Sequence, residues 1–297
     1  MVPAAPRPEG LHNARMTPPN EPSSGSPHTR DVAAKAHDDP RTVRELRTLA
    51  LADPLRWLAA GWRDLRAAPW IALFYGLCFL AMAQSLGAVF RHAPEYTLSM
   101  VSGCFLVGPF LAMGLYEVSR RREQGLVPSL EESLTCWSRH LGAMGILVLV
   151  LLLLELLWGR ASLVVFAVFF DTGMPTSARV VEAVFHPRNW EFVGVYLVVG
   201  SVFAGLVFST CVVSIPMILD RDTDAISAGI ASVQAVTGRP GPMLVWGVLI
   251  VMLLLLALLS PRSLALLLVG PWLGHASWHA YRGCFVWREE AAAARIA

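Results

Sequence analysis

Long apolar runs alternate along the chain with shorter stretches in which apolar residues return every three or four positions. The runs near 69–90, 98–118, 142–170, 193–219, 243–259 and 263–279 each approach or exceed the length of helix, about 20 residues, that crosses a bilayer core. The third is interrupted by Glu155, Trp158 and Arg160 and is expected to be one long tilted helix. A large loop on the far side then covers 171–192. The amphipathic stretches precede these runs in pairs. Residues 41–68 are basic and amphipathic, with Asp53 expected as N-cap and Pro54 at the first helical position. Ser129-Leu-Glu-Glu132 is a capping box before a stripe of Leu130, Leu134, Trp137 and Leu141. A third stretch follows Asp224 and is broken by Gly238-Arg-Pro-Gly-Pro242.

Side by side, the three stretches carry stripes of similar spacing: Leu58, Trp62, Leu65; Leu130, Leu134, Trp137; Ile226, Ile230, Val233. Each precedes a helical hairpin whose second helix holds a proline, Pro109, Pro216 or Pro271. The expectation is an all-α membrane protein with six transmembrane helices. Its candidate organisation is three parallel repeats of an interfacial amphipathic helix plus a hairpin, with an insertion in the middle copy. Small residues four apart, such as Ser201, Gly205 and Ser209 or Gly270 and Gly274, suit close helix contact.

Composition sharpens this picture. Of 297 residues, 55% are hydrophobic and 15% charged, against about 25% charged in soluble domains, and mean hydropathy is +0.53. A water-soluble globule is excluded. The net charge of +2 is spread over short connections, which speaks against nucleic acid as a partner. Residues 1–40 hold eight prolines and no signal-peptide core, and are expected to be a disordered cytoplasmic tail. The six-helix domain then covers 41–287, and 288–297 is a short second tail. Arginines near the span ends fall mainly on one side, among them Arg56, Arg63, Arg66, Arg120, Arg121 and Arg122; Arg91, Arg160, Arg179, Arg188 and Arg262 fall on the other. The positive-inside rule places both termini in the cytoplasm, as in a multi-pass protein of the bacterial inner membrane. Five cysteines without a C-x-x-C pair imply neither a disulfide framework nor a zinc site.

Polar groups at membrane depth are the candidate chemistry. If the proline-bearing helices are equivalent, Tyr116, Glu117, Arg120, Asp220, Arg221, His275, His279 and Arg282 gather as a polar collar at the inner interface. It is either a salt-bridge lock between helices or a mouth that binds a headgroup, ion or solute. His275 and His279, four apart, present both rings to one face; a belt of amphipathic side chains with Trp278 and Tyr281 and a metal or haem edge both use that spacing. No metal or cofactor is expected. Glu155 is the intramembrane acid, either a proton relay or a carboxyl hydrogen-bonded to a neighbouring helix. Asp220-Arg-Asp222-Thr-Asp224 begins like a calcium loop, but Ala225 and Ala231 stand where glycine and the bidentate glutamate are needed. Nothing resembles a phosphate-binding loop or a nucleophile triad, so no catalytic residue and no enzyme activity are expected.

The segments Trp62-Arg-Asp-Leu65, Gly108-Pro-Phe-Leu111 through Tyr116-Glu-Val-Ser-Arg-Arg121, Pro216 to Arg221 and Gly270 to Arg282 resemble a bacterial family of predicted integral membrane proteins, domain of unknown function 2189. Some members carry a cytochrome c oxidase subunit label. The resemblance spans about 41–287 and implies a multi-pass inner-membrane protein without an established activity. A haem-copper catalytic subunit needs roughly six helix-borne histidines; of the eight histidines here only His275 and His279 qualify. Two functions remain: permeation of a small solute or ion, with a polar path from the collar to Glu155, or a scaffold or assembly factor for a membrane complex, with a dry bundle and an open docking surface for a membrane-protein partner.

Overall fold

In the computed structural model the described residues are 44–93, 96–170 and 189–287. The expected tails and most of the 171–192 loop lie outside them. The elements run β1 (Arg44–Leu46), α1 (Asp53–Ala67), α2 (Pro69–His92), α3 (Thr97–Glu123), α4 (Leu130–Thr135) with a 3-10 turn (Cys136–His140), α5 (Leu141–Phe169), α6 (Trp190–Cys211), α7 (Ser214–Arg221), α8 (Ala225–Gly238), α9 (Pro240–Leu259), a 3-10 turn (Pro261–Ser263), α10 (Leu266–Cys284) and β2 (Phe285–Trp287). It is an all-α membrane protein. Five stretches contain helices long and apolar enough to cross a bilayer: Pro69–His92, Ser99–Glu123, Leu130–Phe169, Trp190–Arg221 and Pro240–Leu259. The expected sixth, α10, has 19 residues but is not among them. Its C-terminal half carries His275, His279 and Arg282, which pull its hydropathy down.

Local chemistry explains most boundaries. Ser129 caps α4, its Oγ accepting from Glu132 N, and Asp224 caps α8, its carboxylate accepting from Ser227 N at 2.9 Å. Those hydrogen bonds hold the Asp224 carboxyl below the ordinary carboxylate range. Asp53 is the first residue of α1 rather than its cap; Ala52 occupies that position, and the Asp53 carboxylate accepts from Ala50 N at 2.8 Å and pairs with Arg56. The third apolar run is one continuous helix, α5. The fourth is broken: α6 stops at Cys211 and α7 starts at Ser214. Pro216 cannot donate a hydrogen bond, and its ring crowds the carbonyl of Val212. The Ser232 hydroxyl of α8 accepts the Val213 N–H exposed at the break, at 3.2 Å. In α3 and α10 the prolines are tolerated inside continuous helices.

The short helices set the architecture. α1 packs chiefly on α10, α4 on α3, and α8 on α6 and α7. Each short helix thus rests on the second helix of the hairpin before it, the first resting on the last. The proline-bearing helices α3, α7 and α10 touch one another at the centre. Around that meeting point the packing is dense and aromatic, with Trp246, Trp278, Tyr281 and Trp287 fully buried and Trp57 set edge-on to Trp246 at 5.7 Å. Toward the other end the long helices present Leu157, Val164, Val168, Leu197, Val198, Leu256 and Leu259 outward. Such surface is stable against lipid tails and not against water. Two glycines permit the closest approaches to α10: a Cβ on Gly61 would sit 2.5 Å from Ala276 N, and one on Gly76 would collide with the Leu267 carbonyl.

A two-stranded antiparallel ribbon joins the two ends of the described chain, pairing Arg44 with Trp287, Glu45 with Val286 and Leu46 with Phe285. Arg47 N continues the ladder to the Cys284 carbonyl at 2.9 Å. Nothing in the hydrophobic pattern announces it.

Candidate functional site

The C-terminal ends of α3, α7 and α10 place the collar residues at the dense end of the bundle, where they divide into three linked groups. In the first, Glu117 is buried on α3 and accepts from Arg120 Nε at 2.8 Å, while Arg120 reaches toward the Leu219 carbonyl of α7. Tyr116 is buried beside them in the core. In the second, Asp220 accepts from the Tyr281 hydroxyl at 2.7 Å and lies 3.4 Å from Arg221 Nε and 3.7 Å from Arg282. Arg282 also pairs with Glu123 at 3.0 Å, and the other oxygen of Glu123 accepts from the Trp278 indole. The Arg221 guanidinium lies 4.1 Å over the Trp287 ring, a cation–π contact that ties α7 to the ribbon.

The third group is built on a residue outside the sequence-derived set. Asp64 lies on the buried face of α1, among Trp57, Leu58, Gly61 and Leu65. Its carboxylate takes Arg122 of α3 at 2.6 Å and His279 of α10 at 2.8 Å. Burial alone would raise its pKa. Hydrogen bonds from His279 and Ser119, with the nearby positive charges, outweigh that and hold the carboxyl below the ordinary range. Ser119 also sits 2.8 Å from Nδ1 of the fully buried His275. Among the described residues, His275 Nε2 is buried without a hydrogen-bond partner.

All eight collar residues are therefore at one end of the molecule, and seven of them bond or pair with residues of the same end. Sequence reasoning missed Asp64, Ser119 and Glu123 and gave Arg122, Trp278 and Tyr281 no role in the collar. One signal was available for Asp64: an acid on the apolar stripe of an amphipathic helix needs a buried cation. His275 and His279 turn to different partners, Ser119 and Asp64. Among the described residues no group of three or more His, Cys, Asp or Glu could hold a metal ion.

Glu155 stands apart from the collar. It is 3% exposed at the middle of α5, and Ser102 of α3 donates to its Oε2 at 3.0 Å. Oε1 is buried without a partner among the described residues. Between Glu155 and the collar, in register along α3 and α5, are Met113, Met144, Leu147 and Leu151, all buried. A separate apolar groove of about 400 Å³ opens between α5, α6 and α8, lined by Leu147, Val150, Thr210, Ile226, Ile230 and Val233 among others.

Fold and site together define an integral membrane protein whose inter-helix ion pairs, among the described residues, cluster at one end. Residues 97–220 match the model of a family described as predicted integral membrane protein, domain of unknown function 2189. The match runs from α3 to the end of α7; it contains the Gly108 to Arg121 motif and most of the Pro216 to Arg221 motif, while those at 62–65 and 270–282 lie outside it. No curated protein and no solved structure matches the chain.

Proposed function

We propose that this integral membrane protein is a non-catalytic scaffold of the bacterial inner membrane, with both termini on the cytoplasmic side, that holds a membrane-protein partner. One observation carries this: the ionisable groups that could have lined a solute path are spent on one another. Asp64 is engaged by α3 and α10, Asp220 by Tyr281, Arg221 and Arg282, and Glu123 by Arg282 and Trp278. Permeation of a small solute or ion needs a polar route from that end to Glu155, and buried methionine and leucine side chains occupy the interval. The groove beside α8, with Ile226 and Ile230 more than half exposed, leaves apolar surface open to a partner.

Thiol accessibility separates the two functions. In a cysteine-free background, Ser102→Cys beside Glu155 and Val127→Cys in the exposed α3–α4 link are treated with a membrane-impermeant maleimide in permeabilised vesicles. The scaffold requires labelling at 127 and none at 102; comparable rates at both establish a wet path and refute it. A photo-crosslinker at Ile230 in intact cells then yields a discrete protein adduct, and adducts to lipid alone would remove the partner.

A further inference from the structure

α1 has a second face that the collar does not use. Trp57, Leu58, Gly61, Asp64 and Leu65 point inward, so the residues between them point away from the bundle. Leu51 just before the helix and Leu55 are 65% and 58% exposed, and Trp70, at the start of the adjoining membrane helix α2, is 81% exposed. At 100° per residue, Leu55 and the half-buried Trp62 fall on one edge of this outer face, Arg56 and Arg63 on the other, with Arg66 between them. Arg56 is satisfied in part by Asp53. Among the described residues no carboxylate pairs with Arg63 or Arg66, and a third guanidinium, that of Arg122, donates to the Arg63 carbonyl at 3.0 Å.

Position gives this pattern its meaning. α1 runs into α2 with Ala68 as the only residue between them, and α2 is a candidate span whose first residues are Pro69 and Trp70. The outer face of α1 therefore lies where a bilayer ends. An apolar edge beside a cationic edge there puts leucine and tryptophan against acyl chains and guanidinium groups at the level of phosphates. Arginine forms forked hydrogen bonds with phosphate oxygens and carries a fixed charge, so a net-negative phospholipid is favoured over a zwitterionic one.

We propose that the outer face of α1, through Arg63 and Arg66 with Leu55, Trp62 and Trp70 beside them, is a binding surface for anionic phospholipid headgroups. The lipid braces α1 against α10 from outside, as Asp64 does from inside.

The test uses the full-length protein in a neutral detergent, with its melting temperature followed as dioleoyl phosphatidylglycerol or dioleoyl phosphatidylcholine is added. Phosphatidylglycerol is expected to raise the melting temperature at lower concentration than phosphatidylcholine. At about fivefold per arginine, R63Q/R66Q shifts the half-effective phosphatidylglycerol concentration upward by about 25-fold, while R160Q at the far half of α5 leaves it unchanged. Because R63Q/R66Q could disturb folding, R63K/R66K and wild type in high salt provide further arms: the lysine variant keeps the preference, and salt weakens it. Equal stabilisation by the two lipids, or a preference surviving in R63Q/R66Q, overturns the proposal. An acidic protein partner as the true occupant gives the first of these outcomes.

Discussion

Gly61→Ala perturbs the tightest point between α1 and α10. The added Cβ would lie 2.5 Å from Ala276 N, 2.7 Å from its Cα and 2.8 Å from its Cβ. Carbon atoms rest at about 3.5–4.0 Å, and two of the three obstacles are backbone, so no rotamer change relieves the clash. The helices must part by about 1 Å. Overpacking of this kind costs about 1–3 kcal/mol, offset by about 1 kcal/mol from the better helix propensity of alanine. A second loss adds to it: Asp64 is one turn along α1, and its contacts to Arg122 and His279 are 2.6 and 2.8 Å, so a shift of that size breaks good geometry in charged hydrogen bonds worth about 1.5–3 kcal/mol each. With the equivalent of one such bond lost, the net expectation is a loss of about 1.5–5 kcal/mol. Gly229→Ala in α8 is the matched control, with no atom within 4 Å of its added Cβ and an expected gain of up to about 1 kcal/mol. Thermal unfolding of both variants in one detergent, read by the surviving monodisperse fraction, decides the matter. Equal stability of G61A and wild type, or losses of similar size in the two variants, would refute the steric argument.

Asp64→Asn weakens the hold on the half-buried Arg122 and His279 together and should lower the melting temperature more than His279→Gln, hydrogen bonds to a charged group being worth about 1.5–3 kcal/mol each. Because the folded pKa of Asp64 lies below the ordinary aspartate value of 3.8, its contribution is fully present above that value and is lost as pH falls through the lower folded one. Wild type should therefore lose more stability than D64N on acidification from neutrality into that range, and parallel pH profiles would contradict the assignment. In the ribbon, alternation from the Arg47–Cys284 bond makes Glu45 and Val286 a hydrogen-bonded pair; Glu45→Pro deletes one donor and should speed proteolysis near Trp287, with unchanged cleavage telling against a structural ribbon. Glu155→Ala removes the acceptor of the Ser102 bond and should cost about 0.5–1.5 kcal/mol, whereas Glu155→Gln keeps shape and acceptor and should melt near wild type; equal losses in both would mean that the carboxyl has a role beyond that bond.

The parts of the fold legible in the sequence are those set by short-range periodicity. Five of the six apolar runs and the capping box at Ser129 follow from spacing within a turn or two. The ribbon was not legible, because three-residue strands carry no period and Arg44 meets Trp287 only once the whole bundle has formed. Position along the helix was readable for the collar, since Glu117 and His279 each lie eight residues after a proline, Pro109 and Pro271. Partnership was not: Asp64 reaches Arg122 and His279 through the packing of three separate helices.

α10 shows why hydropathy misleads at the centre of such a bundle. Hydropathy scores residues as though each faced lipid, but α10 is packed by α1, α2, α3 and α9, and its Leu273, His275, Ala276, Trp278, Ala280 and Tyr281 are buried. A helix enclosed by its neighbours can carry histidine and arginine because those neighbours supply the acids: Asp64 from α1, Glu123 from α3 and Asp220 from α7. The polarity that lowers its hydropathy is thus the same feature that fastens it. Peripheral helices have no such suppliers, and α2 and α9 are correspondingly free of charge through their middle turns. It follows that charge-removing substitutions in α10 should damage the bundle even though they make the helix more apolar: Arg282→Leu should lower the melting temperature by removing the cation paired with Glu123 and weakening the hold on Asp220, whereas Arg160→Leu, exposed on α5, should not. A more stable R282L protein would show that α10 is held by lipid after all, and that the collar contributes nothing to its place.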